Sequence, residues 1–215
     1  MAIVIINPNR TVSMTDGMLA MARAAQPGTE FEGWTSHDGP AAIQGRDDGA
    51  HAVAPLLDLV RQASNEGADG IIIGCFDDTG LAEAVRLARC PVLGIGQAAA
   101  HVAAMRSRRF SVVTTLSVSV PILEENIHAY GFGHLLGRVR ASEIPVLELE
   151  RDPVRAAAQL AGEARLAIEE DDIDCLLLGC AGMASFAAAL RNDLTVPVID
   201  GVEAAARLST CLAAS

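Results

Sequence analysis

Two stretches of the chain share one pattern, an apolar run closed by Gly-Cys. Residues 71–75 read Ile-Ile-Ile-Gly-Cys, and residues 176–180 read Leu-Leu-Leu-Gly-Cys. An uninterrupted apolar run of this length is typical of a strand buried on both faces of a parallel sheet. A stretch with a helical pattern follows each run. Both cysteines are therefore predicted at the carboxyl end of a strand, where open α/β sheets bind ligands and where backbone N–H groups favour a thiolate.

The same spacing links other landmarks of the chain. Cys75 and Cys180 are 105 residues apart, and Pro91 and Pro197 are 106 residues apart. The sequences that follow the two prolines, Pro-Val-Leu-Gly-Ile and Pro-Val-Ile-Asp-Gly, are also alike. A near-constant offset predicts an internal repeat of two structurally similar halves.

The fold class follows from this repeat and from the alternation of β-branched runs with Ala-rich runs. We predict an α/β protein of two similar parallel-sheet halves related by a pseudo-twofold axis, with the active site in the cleft between them. The predicted first lobe is residues 1–100 plus 200–215, because the last helix is expected to pack back on the first half. The predicted second lobe is residues 101–199.

Strand and helix patterns alternate along both halves. The predicted strands cover residues 2–6, 29–36, 70–75, 91–95, 110–115, 174–180 and 196–200. The predicted helices cover about 13–25, 46–66, 80–89, 97–105, 119–130, 153–169 and 184–191, with a last helix that ends at 212.

Charge and composition exclude several classes of partner. The net charge is −11 with a pI near 4.8, which argues against binding to nucleic acid or to an anionic membrane surface. All 16 basic residues are arginine, so no lysine is present for Schiff-base chemistry. No apolar run reaches about 18 residues, and no signal peptide is visible. The odd number of five cysteines, without compact spacing, favours a reducing cytoplasm.

The sequence also argues against a metal or a nucleotide cofactor. The five histidines show neither His-x-His nor His-Glu-x-x-His spacing. Residues 94–99 read Gly-Ile-Gly-Gln-Ala-Ala, which is similar to a dinucleotide-binding turn. This turn is not the first of its half and lacks an acidic residue about 20 positions on, so we expect no cofactor.

Five ordered motifs carry a family resemblance that spans nearly the whole chain. They are Asn-Pro-Asn at 7–9, Gly-Cys-Phe-Asp-Asp at 74–78, Val-Thr-Thr-Leu at 113–116, Gly-Cys-Ala-Gly-Met at 179–183 and Pro-Val-Ile-Asp-Gly-Val at 197–202. With these motifs the chain resembles the aspartate/glutamate/hydantoin racemase superfamily, and it is most similar to the hydantoin and allantoin racemase branch.

The resemblance implies cofactor-independent racemisation of a 5-substituted hydantoin, with one cysteine on each face of the ring. By this match Cys75 and Cys180 are the acid and base. Asp200 is expected either to orient the substrate or to cap a loop. The residues implied in substrate binding, through side chains or through the backbone after each cysteine, are Asn7, Phe76, Asp77, Thr114, Thr115, Ala181 and Gly182.

The residues themselves support this chemistry. Removal of the hydantoin C5 proton makes an enolate, whose oxygen needs hydrogen-bond donors at the two helix starts. Thiol pKa values near ambient pH suit a reversible exchange of this kind. A carboxylate raises the pKa of a neighbouring thiol, which argues against activation of Cys75 by Asp78. Asp78 or Thr79 is instead expected to cap a helix. Core or surface filling is expected for Cys90, Cys175 and Cys211.

Other functions remain open at this level. Within the superfamily, the same cysteines serve an allantoin racemase, an aspartate or glutamate racemase, or a maleate-type isomerase. A dicarboxylate substrate needs stronger anion recognition than the few arginines near the motifs supply. A non-catalytic ligand-binding protein on this scaffold is the alternative of another class. The Ala-rich helices predict close helix packing or a homo-oligomer face.

Overall fold

The computed structural model describes residues 2–213 and contains two parallel four-stranded sheets. Met1, Ala214 and Ser215, which the predicted first lobe includes, lie outside the described residues. The first sheet has the order β2-β1-β3-β4, with β1 Ile3–Asn7, β2 Phe31–Thr35, β3 Gly70–Ile73 and β4 Val92–Gly94. The second has the order β6-β5-β7-β8, with β5 Phe110–Thr114, β6 Leu136–Ala141, β7 Cys175–Leu178 and β8 Val198–Asp200. The predicted fold class is confirmed.

Helices connect the strands in both halves. The first half contains α1 Val12–Ala25, α2 Arg46–Asn65, α3 Leu81–Leu87 and α4 Ile95–Arg106. The second contains α5 Val120–Ala129, α6 Glu148–Arg151, α7 Pro153–Glu170, α8 Ala187–Asp193 and α9 Gly201–Ala213. Short 3₁₀ segments cover Ser117–Ser119, Gly133–Leu135 and Ala181–Phe186. No helix within residues 2–213 is both long and apolar enough to cross a membrane.

The apolar runs form strands because each strand is covered on both faces. In β3, Ile72 faces the central core between the sheets, whereas Ile71 and Ile73 pack against α2 and α3. In β7, Leu177 faces the same central core, and Leu176 packs under α7 and α8 on the opposite face. This alternation is the period of two that a pleated strand imposes.

Two Ala-rich helices fill the centre of the molecule. Ala98, Ala99 and Ala103 of α4 are fully buried, and residues 204–206 of α9 are buried against the same core. The short side chains allow α4 and α9 to approach closely. Helix α4 also contacts β7 and β8 of the second sheet, while α9 contacts α1, β3 and β4 of the first half. Each helix therefore packs across to the opposite sheet.

This exchange of helices bears on the domain boundaries. The predicted limit after residue 100 falls inside α4, which contacts both sheets. Helix α9 contacts α1, β3 and β4, and the assignment of this end of the chain to the first lobe stays a prediction. We propose that the chain crosses between lobes at 94–95 and again at 200–201.

Strand β6 is absent from the sequence-based prediction. Its sequence, Leu-Gly-Arg-Val-Arg-Ala, carries two arginines and no long apolar run. Arg140 is nevertheless buried, because its guanidinium donates to both oxygens of Asp171 at 2.7 and 2.8 Å and also pairs with Glu170 at 2.7 Å. The strand pairs with β5 at the sheet edge. Because these ion pairs satisfy the arginine, a polar sequence can form a partly buried strand.

The close contact between α4 and α9 predicts that one methyl group added at Gly201 destabilises the protein. A Cβ on Gly201 would lie 2.7 Å from the backbone oxygen of Ile95, which cannot move without shifting α4. We expect Gly201→Ala to lower the free energy of unfolding by about 1–3 kcal/mol, measured by urea denaturation. Gly162→Ala on α7 is the control: open space surrounds that position, and the variant should be neutral or slightly stabilised. Equal stability of the two variants would contradict this packing.

Candidate active site

A pocket lies between the lobes at the carboxyl ends of β3 and β7. The cavity is narrow, with a volume of about 30 Å³, and it opens to solvent. Eight of the ten predicted site residues line it: Cys75, Phe76, Asp77, Thr114, Thr115, Cys180, Ala181 and Gly182. Asn7 and Asp200 do not line it. Both halves of the repeat thus contribute one cysteine and its following residues to a single cavity.

Glycine precedes each cysteine for a packing reason. A Cβ on Gly74 would lie 2.5 Å from the sulfur of Met18, and one on Gly179 would lie 2.8 Å from Val112. Both glycines also donate a backbone hydrogen bond of 2.8 Å to the neighbouring strand. The Gly-Cys pairs therefore end each strand tightly against its neighbour before the chain turns into the pocket.

Burial dominates the electrostatics of Cys75. It raises the pKa of the Cys75 thiol well above the ordinary value, and the carboxyl of Asp77 raises it further. The Thr79 hydroxyl donates to the sulfur at 3.6 Å, and the backbone N–H of Asp77 also faces it. These hydrogen bonds lower the pKa, but by less than burial raises it. The thiol is therefore neutral at pH 7.

Cys180 has a similar environment. Burial raises the pKa of this thiol to about 12, against the opposing effect of the backbone N–H groups of Gly182 and Met183. The carboxyls of Asp77 and Asp200 also raise it. The pKa values of both thiols therefore lie above the range near ambient pH that suits a reversible exchange. Desolvation outweighs the backbone donors at the end of each strand.

Asp77 lies in the pocket with an unsatisfied side chain. Its Oδ2 atom is buried, and neither oxygen of this carboxyl has a hydrogen-bond partner in the part of the chain that the structure describes. Burial raises the pKa of Asp77 to about 7. Its backbone is held, because the Asn126 side chain of α5 donates to the Asp77 carbonyl at 2.8 Å.

Asp78 caps a helix, but not the helix that follows it. Its carboxyl accepts from the backbone N–H groups of Gly96 at 3.1 Å and Gln97 at 2.6 Å, at the start of α4, and from the Tyr130 hydroxyl at 2.7 Å. A Cβ on Gly94 or Gly96 would collide with the carboxyl of Asp78. The Gly-x-Gly turn at 94–96 therefore accommodates an internal carboxylate.

Asn7 acts through its neighbour. Its side chain is fully buried, donates to Asn9, Thr11 and Thr15 at 3.1 Å each, and accepts from the backbone N–H of Asn9. Every polar atom of this amide is occupied within the loop. Asn9 is the residue that lines the pocket. Asn7 thus supports the loop that carries Asn9, and its predicted contact with a ligand stays a prediction.

Asp200 lies at the start of α9 and is almost fully buried. Its Oδ1 accepts from the backbone N–H of Glu203 at 2.8 Å and so caps α9. Oδ2 has no partner among residues 2–213. Burial raises the pKa of Asp200 to about 6. The residue affects Cys180 electrostatically without lining the pocket.

The two threonines differ in their free hydrogen-bonding capacity. The Thr114 hydroxyl donates to the backbone oxygen of Gly179 at 3.0 Å and so holds the turn before Cys180. The Thr115 hydroxyl has no partner within the described chain, although the residue lines the pocket. Thr115 is the threonine whose hydroxyl is available to a ligand.

Seven lining residues were not among the predicted site residues. Two of them, Gly74 and Gly179, precede the cysteines, and the other five lie elsewhere. These five are Asn9, Met14, Ile43, Ser119 and Val146. Asn9 was visible in the Asn-Pro-Asn loop, whereas Ile43 and Val146 lie in loops without a distinguishing pattern. Met14, Ile43 and Val146 give one wall of the pocket an apolar character. No arginine or histidine of residues 2–213 lines the pocket, and no group of three or more His, Cys, Asp or Glu is arranged there to hold a metal ion.

Comparison with known proteins decides the family. A family model described as Asp/Glu/Hydantoin racemase matches residues 3–209. A protein of Rhizobium meliloti named hydantoin racemase is 45% identical over 213 residues, which cover 99% of this chain and 88% of that protein. The chain belongs to the Asp/Glu/hydantoin racemase family. The predicted resemblance is confirmed, and the protein is an isomerase of the racemase type.

Solved structures support the same assignment. The allantoin racemase from Klebsiella pneumoniae is similar to this racemase with a TM-score of 0.96 and 39% identity, and the match covers 100% of this chain and 88% of that one. The allantoin racemase from Pseudomonas fluorescens matches with a TM-score of 0.94 and 37% identity, over 99% of this chain and 90% of that one. The two-lobed architecture is shared across both.

The state of Asp77 predicts a pH-dependent stability difference. Burial raises the pKa of Asp77, so the folded racemase holds this proton more tightly than the unfolded chain does. Stability is therefore lost as pH rises from about 4 towards 7. Asp77→Asn should be close to wild type at pH 4.5 and more stable by about 2 kcal/mol at pH 7.5, measured by urea denaturation. Asp47→Asn is the control. Asp47 is exposed, so this variant should differ from wild type in free energy of unfolding by a similar amount at both pH values. Parallel pH profiles of Asp77→Asn and wild type would contradict the assigned burial.

Proposed function

We propose that this protein racemises 5-substituted hydantoins by proton transfer between two cysteines, without a cofactor. The observation that carries the proposal is the single pocket lined by Cys75 and Cys180, one from each half of the internal repeat. Two groups that face one bound molecule from opposite lobes are suited to removal of a proton from one side and its return from the other.

The chemistry balances within these two groups. The thiolate of one cysteine takes the C5 proton, the electron pair moves into the ring to form the enolate, and the opposite thiol gives a proton to the other face of C5. The cysteines exchange protonation states in each turnover. The Thr115 hydroxyl and the backbone N–H groups after each cysteine are donors for the enolate oxygen. Asn9, on the loop that Asn7 holds, completes the contacts with the ring. Asp200 acts on Cys180 electrostatically from outside the pocket.

The lining of the pocket favours a neutral ring. No cation lines it within residues 2–213, whereas an aspartate or glutamate racemase and a maleate-type isomerase bind dicarboxylates, which need positive partners. The relative named hydantoin racemase supports a hydantoin. The solved allantoin racemases make allantoin the second candidate, but the apolar wall of Met14, Ile43 and Val146 suits an apolar substituent better. A cytoplasmic location and a homo-oligomer stay predictions.

Loss of either thiol should abolish racemisation. We expect Cys75→Ser and Cys180→Ser to lower kcat for both enantiomers of a 5-substituted hydantoin by 10²-fold or more, followed by circular dichroism. In deuterated water, deuterium should appear at C5 with wild type. Cys211→Ser is the matched control, because Cys211 is exposed on α9. A wild type that binds hydantoins but turns over neither enantiomer would identify the non-catalytic ligand-binding protein instead.

The raised thiol pKa values predict an alkaline activity profile. Burial keeps both cysteines as thiols at pH 7, and the fraction with one thiolate grows about tenfold per pH unit below the thiol pKa. We expect kcat/KM to rise continuously from pH 7 to 9 after subtraction of the rate without enzyme. A plateau below pH 8 would contradict the assigned pKa direction.

A further inference from the structure

Asp77 is the one charged side chain of the described residues that lines the pocket. It follows Cys75 by two residues, and its charge acts on Cys75, Cys180 and Asp78. Its backbone is fixed from two sides, by the N–H that faces the Cys75 sulfur and by the carbonyl that accepts from Asn126. The side chain therefore has a defined position in the pocket, without a partner from the described protein.

The neighbouring carboxyl of Asp78 differs from that of Asp77 in its hydrogen bonds. Asp78 has the same chemistry and is more fully buried, and two backbone N–H groups and the Tyr130 hydroxyl occupy its oxygens. Asp77 has no equivalent donors, and its Oδ2 atom is buried. A buried carboxyl without a hydrogen bond costs free energy, so a ligand that brings a donor binds favourably. A ligand that brings a carboxylate meets a like charge at low dielectric instead.

We propose that the Asp77 side chain is a specificity determinant of this racemase: it accepts a hydrogen bond from a ring N–H of the substrate and repels substrates that carry a carboxylate. The inference rests on the proposed function, because it assigns the ureide N–H of the ring to this residue. It makes Asp77 a side-chain contact, in addition to the backbone contacts expected after Cys75. The substrates selected are neutral cyclic ureides and imides.

The test is a binding experiment that needs no turnover. The probes are 5,5-dimethylhydantoin, which has no C5 proton, its 1-methyl and 3-methyl derivatives, and succinate. Each is titrated into wild type, Asp77→Ala and Asp77→Asn by calorimetry at pH 8. We expect Asp77→Ala to bind 5,5-dimethylhydantoin at least tenfold more weakly than wild type does. One of the two N-methyl derivatives should bind wild type at least tenfold more weakly than the unmethylated ring does. The same methyl group should weaken binding to Asp77→Ala less than threefold.

Succinate tests the repulsion. Asp77→Asn keeps the size of the side chain and removes its charge, so succinate should bind this variant at least tenfold more tightly than wild type. The exposed Asp47→Asn should bind every probe as wild type does. Thermal unfolding curves establish that each variant is folded.

The outcomes separate the two proposals. If Asp77→Ala binds the unmethylated ring as tightly as wild type, the methyl effect is steric and the inference is overturned. Equal succinate affinity of Asp77→Asn and wild type also overturns it. If wild type binds the ring in this pattern but racemises no hydantoin, the assignment of Asp77 stands and the proposed activity fails. If racemisation occurs while both Asp77 variants bind all probes as wild type does, only the inference fails.

Discussion

The close contact between α4 and α9 is the interaction on which the rest of the molecule depends. Fully buried alanines on both helices allow an approach that longer side chains would prevent, and Gly201 touches the first residue of α4. This contact fixes the two sheets so that the carboxyl ends of β3 and β7 face one another. The position of the two thiols thus depends on helix packing as well as on the strands that carry them.

Desolvation then sets the chemical character of the pocket. The two thiols, Asp77 and Asp200 all have raised pKa values because burial disfavours their charged forms. Backbone N–H groups oppose this effect at both cysteines without overcoming it. A thiolate formed under these conditions is scarce but strongly basic, which suits the removal of a weakly acidic carbon-bound proton.

The sequence predicts the features that belong to the internal repeat and those with a regular pattern of apolar residues. The runs at 71–75 and 176–180 located β3, β7 and both cysteines, because continuous apolar strands have few alternatives. Strand β6 was missed since its arginines depend on partners 30 residues away, although β2 and β6 begin 105 residues apart, the offset of the cysteines. The hydrogen-bond partners of Asn7, Asp78 and Asp200 could not be predicted, because they lie across loops and lobes that only the folded chain brings together.

Because the helices are exchanged, each half of the repeat depends on the other. Each half supplies the helix that covers the other half's sheet, so neither half has a complete hydrophobic core of its own. A polypeptide with only one copy of the repeat would leave apolar strand faces open to water. Pairing with an identical copy would cover those faces in the way the second half covers them here.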